Sequence, residues 1–230
     1  MNTEHNSPLS RHDIHADTTK RHLDEIHKEF KDGFEFLKKY PKSVTIYGSA
    51  RTKHDTHEWK QAEELGRKIV KELDYAVITG GGPGIMEAAH KGAQEAGGKA
   101  VALGITLPHE SNTNRYATDR LQFTYFFSRK AMLNFAAEAY VFFPGGYGTF
   151  DELFSTMTLI QTRKIPSVPV ILVGSRYWNG LVDFIAKNML EQQEAIAEFD
   201  MGIFKVTDDI DQVIEIVRSA PISEWWRNIN

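Results

Sequence analysis

The sequence predicts an α/β fold, a doubly wound parallel sheet with helices on both faces. Three observations lead there. Beyond Pro41, short apolar runs rich in β-branched residues alternate with segments whose apolar residues recur every three or four positions. Those runs are apolar throughout rather than at every second residue, the pattern of strands covered on both faces, as parallel strands are. Strand–helix alternation without an internal repeat then implies right-handed crossovers within one sheet.

Taken in order, residues 1–18 are polar and read as a mobile tail with no apolar stretch of the kind a secretory signal needs. Over residues 19–40, Leu23, Ile26, Phe30, Phe34 and Leu37 recur at helical spacing, predicting an amphipathic helix that Pro41 ends. Strands follow at Ser43–Tyr47, Ala76–Thr79, Ala100–Ile105, 123–127, 140–143 and 168–173, with a further short one at 204–206. Helices are expected at 58–72, 84–95, 129–138, 149–162, 178–189 and 208–219. The reading divides the chain into an N-terminal extension (1–40), one sheet domain (41–220) and a tail (221–230).

Composition narrows the function classes. The chain has 230 residues, enough for one well-buried α/β domain; 41% are hydrophobic and 25% charged. The net charge is −4 and no basic stripe is present, which argues against nucleic acid and anionic membranes as partners. No apolar run approaches the roughly 20 residues of a membrane span. Cysteine is absent, so disulfides and thiolate metal sites are excluded, in keeping with a cytoplasmic location. His12, His15, His22, His27, His54 and His57 match no common metal spacing and read as polar surface, and Trp225 and Trp226 read as docking residues.

In a doubly wound sheet, ligands bind beyond the carboxyl ends of the strands. Three loops fall there. Pro144-Gly145-Gly146-Tyr147-Gly148-Thr149 leads from a strand into a helix. Glycine lets a ligand approach the backbone, and the free N–H groups of a helix start suit a phosphate. The plainer reading is a tight turn closed by a Thr149–Glu152 capping box. Gly80-Gly81-Gly82-Pro83-Gly84 is a second strand-to-helix turn; it lacks the third glycine of a dinucleotide fingerprint, and no Walker sequence occurs anywhere. The third loop holds Gly48, Ser49, Ala50 and Arg51. Together the two glycine loops imply an anionic, nucleotide-like ligand. Arg51, Glu87, Glu110, Arg129 and Glu152 are the charged candidates nearest to them.

Gly80 to Met86, the pair Arg129-Lys130, and Pro144-Gly145-Gly146-Tyr147-Gly148-Thr149 with Glu152 resemble the Lonely Guy (LOG) family, over about residues 44–185. Its members are cytokinin riboside 5′-monophosphate phosphoribohydrolases and related nucleotide nucleosidases, many formerly labelled lysine decarboxylases. The resemblance implies a Rossmann-like fold, a homodimer or higher homo-oligomer with sites near the subunit interface, and neither metal nor organic cofactor. It implies release of a purine or N6-modified adenine from its nucleoside 5′-monophosphate, leaving ribose 5-phosphate. Arg129 and Glu152 take the catalytic positions, and Gly145, Gly146, Tyr147, Gly148 and Thr149 the phosphate. Gly48, Ser49, Gly81, Gly82, Glu110, Lys130 and Thr158 are the expected substrate contacts; Glu110 stands about one residue further from Arg129 than in plant members. The rivals are a lysine decarboxylase, for which no lysine is marked out as a Schiff base, a nucleotide-sensing regulator using the same pocket, and a nucleotide- or molybdenum-cofactor-binding carrier of related fold. The carrier would keep the glycine loops without needing Arg129 and Glu152 together.

Overall fold

The computed structural model describes residues 16–106 and 113–221. Seven parallel strands form one sheet: β1 (Ser43–Tyr47), β2 (Ala76–Thr79), β3 (Ala100–Ile105), β4 (Asp119–Phe123), β5 (Ala139–Phe142), β6 (Val170–Val173) and β7 (Phe204–Thr207). Their order is β4-β3-β2-β1-β5-β6-β7. The chain first winds outward from β1 to β4, then returns across the sheet to lay β5 against β1, with Tyr47 beside Phe142. The β1/β5 seam is therefore the switch point, where a doubly wound sheet opens a crevice.

Alternate strand residues serve two cores. On one face Ile78, Leu103, Tyr140, Phe142 and Leu172 are buried beneath α1 (Ala16–Leu37), α4 (Phe126–Phe135), α5 (Tyr147–Gln161) and α6 (Ser175–Phe184). On the other, Val44, Ile46, Val77, Val141 and Ile171 are covered by α2 (His57–Lys68), α3 (Ile85–Glu95) and α7 (Ile210–Ser219). Helices α2 and α6 each run on as a π-helical stretch, Ile69–Leu73 and Ile185–Gln192, and a 3-10 helix, Glu198–Ile203, leads into β7. Among the described residues no helix is long and apolar enough to cross a membrane.

The largest departure from expectation lies between β3 and α4. The strand placed at 123–127 is Asp119–Phe123, and α4 begins at Phe126, three residues before the expected 129. β4 is an edge strand whose Arg120 and Gln122 are exposed, so its polar alternation hides it from a search for apolar runs. Phe126 and Phe127, read as strand residues, are instead exposed in the first turn of α4. The stripe predicted for α1 holds at Phe30, Phe34 and Leu37, but Leu23 is exposed and Phe36 is buried. Residues 1–15 and 222–230, with the tail and both tryptophans assigned above, lie outside the described residues, as does Glu110.

Helix α1 serves as a brace for α4. No side chain within α4's own N-terminus caps it. The cap comes from Glu29 of α1: one carboxylate oxygen accepts from the Thr124 N–H at 2.5 Å, and the other from the Tyr125 N–H at 3.4 Å and from the Ser128 hydroxyl. A carboxylate here also meets the positive end of the α4 dipole. One turn along, a Cβ on Gly33 would stand 2.5 Å from Met132 Sδ, so a larger residue there would have to displace the Met132 side chain.

Candidate active site

The loops after β1, β2 and β5 converge at the switch point, and Ser49 ties them together. Its N–H donates to the Pro144 carbonyl at 3.0 Å, and its carbonyl accepts from the Ile85 N–H at 3.1 Å. Gly84 sits at φ +68°, and a Cβ there would lie 2.2 Å from the Ser49 carbonyl oxygen. The Gly80–Gly84 loop is pinned from behind. The Asn114 side-chain amide donates to the Gly81 and Gly82 carbonyls at 3.1 and 3.0 Å, and the Gly81 N–H donates to Thr79 Oγ1 at 2.9 Å. Gly48, Ser49, Gly81, Gly82 and Gly145 are thereby gathered into one rim.

Behind that rim His90 is fully buried. Its Nε2 lies 3.1 Å from the Val101 carbonyl, and Nδ1 is 3.1 Å from the Asn114 amide nitrogen. This network fits the neutral tautomer with the proton on Nε2. Burial holds the His90 pKa down to about 4, from an ordinary 6.5, against the opposing pull of Asn114 and Val101. The folded value lies below the unfolded one, so the unfolded chain binds the proton more readily. The stability linked to His90 is complete above about pH 6.5 and is lost as pH falls toward 4, by up to about 3 kcal/mol. Urea titrations across this range should show that slope in the wild type, and a shallower one in His90→Gln. Equal slopes would mean that His90 is not the titrating group.

The Pro144–Thr149 loop opens α5. The helix starts at Tyr147 with Gly146 as N-cap and no side-chain cap, so the expected Thr149–Glu152 capping box does not form. Thr149 is already in the third helical position, and its Oγ1 stands 2.1 Å from where a Cβ on Gly145 would be. Gly146, Tyr147 and Gly148 are exposed, and a Cβ added at Gly146 or Gly148 would meet nothing within 4 Å. An uncapped, solvent-facing helix start with small residues is suited to an anion.

The charged groups lie just inside. Arg129 of α4 donates from Nε to the Leu103 carbonyl at 2.8 Å, and its Nη2 lies 2.2 Å from where a Cβ on Gly80 would be. That glycine is what admits the guanidinium at the end of β2. Glu152 of α5 is buried; its Oε2 has no hydrogen-bond partner, with Lys130 Nζ at 3.7 Å, an ion-pair distance too long for a hydrogen bond. Burial raises the Glu152 pKa above the ordinary carboxylate value, against the lowering charges of Lys130 and Arg129. Burial likewise pulls the Arg129 guanidinium down, opposed by Glu152 and Tyr47. Lys130 itself is held by the Asp151 carboxylate and by Ser155 Oγ at 3.0 Å. The arrangement pairs a desolvated carboxylate with two cations beside an open helix start, which can stabilise positive charge or take a proton.

Thr158 is exposed on α5, six residues beyond Glu152, and lines an open depression of about 760 Å³ with Lys130, Asp151, Ser155, Tyr147, Phe150 and Phe154. Tyr47 is a site-facing residue that sequence reading assigned only to a strand. Its hydroxyl is buried without a partner, and the charges of Glu152 and Arg129 both act on it. An aromatic residue directly before the Gly48-Ser49 loop was the available signal. Among the described residues no group of three or more His, Asp or Glu is placed to hold a metal ion.

Three comparisons bear on the site. A family model described as "Possible lysine decarboxylase" matches residues 86–217. A cytokinin riboside 5′-monophosphate phosphoribohydrolase of Rhodococcoides fascians is 26% identical over 186 residues, covering 78% of this chain and 90% of that protein. A protein of the same name from Arabidopsis thaliana, LOG3, is 29% identical over 157 residues, covering 66% and 71%. Among solved structures, the molybdenum cofactor carrier protein of Chlamydomonas reinhardtii superposes with a TM-score of 0.59 at 22% identity, over 77% of this chain and 96% of that one. At that identity the likeness speaks to the fold alone.

Proposed function

The chain belongs to the LOG family, the group matched by the lysine decarboxylase model, and from that premise we propose that it is a cytoplasmic nucleoside 5′-monophosphate phosphoribohydrolase. It would hydrolyse the bond between a purine, or an N6-modified adenine, and ribose 5-phosphate. The observation that carries this reading is the buried Glu152 oxygen, without a hydrogen-bond partner but at ion-pair distance from Lys130 and under the charge of Arg129, set beside the open start of α5.

The 5′-phosphate sits on the N–H groups of Gly145 to Thr149 at the positive end of α5. Ser49, Gly48, Gly81 and Gly82 complete the rim around the nucleotide; Glu110 and Thr158 remain proposed contacts. The C1′–N bond breaks through an oxocarbenium-like transition state. Glu152 stabilises that cation and takes a proton from the attacking water, a task that its raised pKa favours. Arg129 anchors the ribose or phosphate away from the bond being broken. The decarboxylase of the family description needs a Schiff-base lysine for pyridoxal phosphate. The lysine in this cluster, Lys130, is engaged by Asp151 and Ser155 instead.

A homodimer belongs to the same reading. Tyr147 is 97% exposed, and with Phe150, Phe154 and Leu159 it gives α5 an apolar outer face at the mouth of the site. A second copy seated there would bring Thr158 toward a nucleotide.

The test is a panel of nucleoside monophosphates, nucleosides and lysine, with products identified by mass. Monophosphates should release free base with kcat/KM roughly 10²–10⁴-fold above the matching nucleosides, the worth of two charge-assisted hydrogen bonds to phosphate. Equal rates would defeat the phosphate cradle. Binding of AMP without any free base would favour the carrier reading.

A further inference from the structure

Tyr47 ends β1 at the switch point, and its surroundings on both sides are those of the site. On one side it stacks on Phe142 of β5, ring centroids 4.7 Å apart. On the other lies β2, paired through Thr45 and Ile78; two residues further along each strand stand Tyr47 and Gly80. Residues level with one another on neighbouring parallel strands project to the same face, about 4.8 Å apart. The Cβ position of Gly80 is where the Arg129 guanidinium rests. The Tyr47 ring thus lies in the row that runs from the Arg129 guanidinium to Phe142, on the face that α4 and α5 cover.

Its hydroxyl is the anomaly. Interior polar atoms nearly always find a partner, because leaving one desolvated and unpaired is costly. Among the described residues, four buried side-chain atoms have none: Thr45 Oγ1, Tyr47 Oη, Glu152 Oε2 and Asp200 Oδ1. Two of the four, Tyr47 Oη and Glu152 Oε2, lie on the sheet face that α4 and α5 cover. They are chemically complementary, one a hydroxyl that can give or accept a proton, the other a carboxylate oxygen. The Glu152 charge acts on Tyr47, and so does that of Arg129. A phenylalanine would fill the same place without an unpaired oxygen, so packing does not account for the hydroxyl.

We infer that the Tyr47 hydroxyl and the Glu152 carboxylate together hold the attacking water, making Tyr47 a third catalytic residue. The inference rests on the phosphoribohydrolase reading. The water directs one hydrogen to Glu152 Oε2 and the other to Tyr47 Oη, leaving a lone pair aimed at C1′. Its oxygen bonds to C1′ as the C1′–N bond breaks and the bond's electron pair leaves with the base. Glu152 takes one water proton and later returns it to solvent, while the departing base takes up one proton from solvent. Tyr47 stays a phenol throughout and orients the nucleophile without exchanging a proton.

The test is Tyr47→Phe in the full chain, with the monophosphate that the wild type cleaves fastest. The ring keeps its stack on Phe142, and the change removes an unpaired buried hydroxyl, so Tm should be unchanged or higher. The kcat should fall roughly 10–100-fold with KM within about threefold, the signature of a group that acts on the nucleophile rather than on binding. In buffer containing methanol, the variant should form a larger fraction of methyl riboside 5-phosphate than the wild type does, because its nucleophile is no longer selected by two fixed partners. A wild-type kcat in Tyr47→Phe overturns the inference. So does a kcat loss matched by a fall in Tm with an unchanged methanol fraction. A penalty that disappears with the 2′-deoxynucleotide also overturns it, since the hydroxyl would then serve the ribose. If the wild type frees no base from any monophosphate, the function itself fails and this inference fails with it.

Discussion

Glu152→Gln should leave the fold intact and lower kcat on a nucleoside monophosphate by about 10³-fold, with KM little changed. The substitution is nearly isosteric, and Oε2 has the 3.7 Å ion pair with Lys130 but no hydrogen-bond partner to lose. What it removes is the negative charge between Arg129 and Lys130, and with it both the counter-charge for an oxocarbenium ion and the acceptor for the water proton. The same feature sets the pH dependence. A carboxylate whose pKa is raised by burial must still be ionised to act, so the rate falls in acid through a value above the ordinary 4.5. For stability the sign is opposite. A raised folded-state value means that the contribution is present below the unfolded pKa and is lost as pH rises through the folded one. The ionised carboxylate therefore costs stability at neutral pH, and Glu152→Gln should unfold at an equal or higher temperature. Steady-state kinetics beside thermal unfolding checks both halves. A variant with more than a tenth of wild-type kcat would remove Glu152 from the chemistry.

Arg129→Ala should lower kcat/KM by roughly 10²–10³-fold. The guanidinium is fixed by the Leu103 carbonyl and by the space that Gly80 leaves for it. A group held in that way needs little ordering when substrate arrives. Lysine should not restore activity, because one ammonium cannot both hold Leu103 and present a planar fork to a ribose or phosphate oxygen. Removing Arg129 also leaves Leu103 without its side-chain donor and Glu152 with Lys130 as its remaining cation, so a modest drop in Tm is expected. Kinetics of the alanine and lysine variants, with Tm measured on each, decide the matter. An alanine variant within threefold of wild-type kcat/KM would show that Arg129 is an architectural cation only.

The fold was readable because its strands are apolar throughout: Val44–Ile46, Val77–Ile78 and Ile171–Val173 can only be interior. It was misread where a strand sits at the edge. β4 carries Arg120 and Gln122 outward, and the aromatic run Tyr125-Phe126-Phe127 beside it imitates the missing strand. The glycine loops announced a meeting of backbone and ligand, and the structure does bring Gly48, Ser49, Gly81, Gly82 and Gly145 together. Which residue each glycine serves was not readable. Gly80 makes room for Arg129, 49 residues later, and that relation exists only in three dimensions. Tyr47 was hidden by its own apolar ring, which satisfies the periodicity of a core strand although its hydroxyl is buried without a partner. Glu29 was hidden differently. It looks like any charged residue on a helix surface until α4 is placed against it.

That last contact has a bearing on how such chains diversify. The family model begins at residue 86, yet the helix carrying Arg129 is seated by Glu29 and Gly33, well upstream of it. A larger residue at 33 requires the Met132 side chain to move or shrink, and an altered residue at 29 requires another cap for Thr124 and Tyr125. Natural variation along this seam should therefore come in matched pairs, although one partner lies outside the conventional limits of the domain.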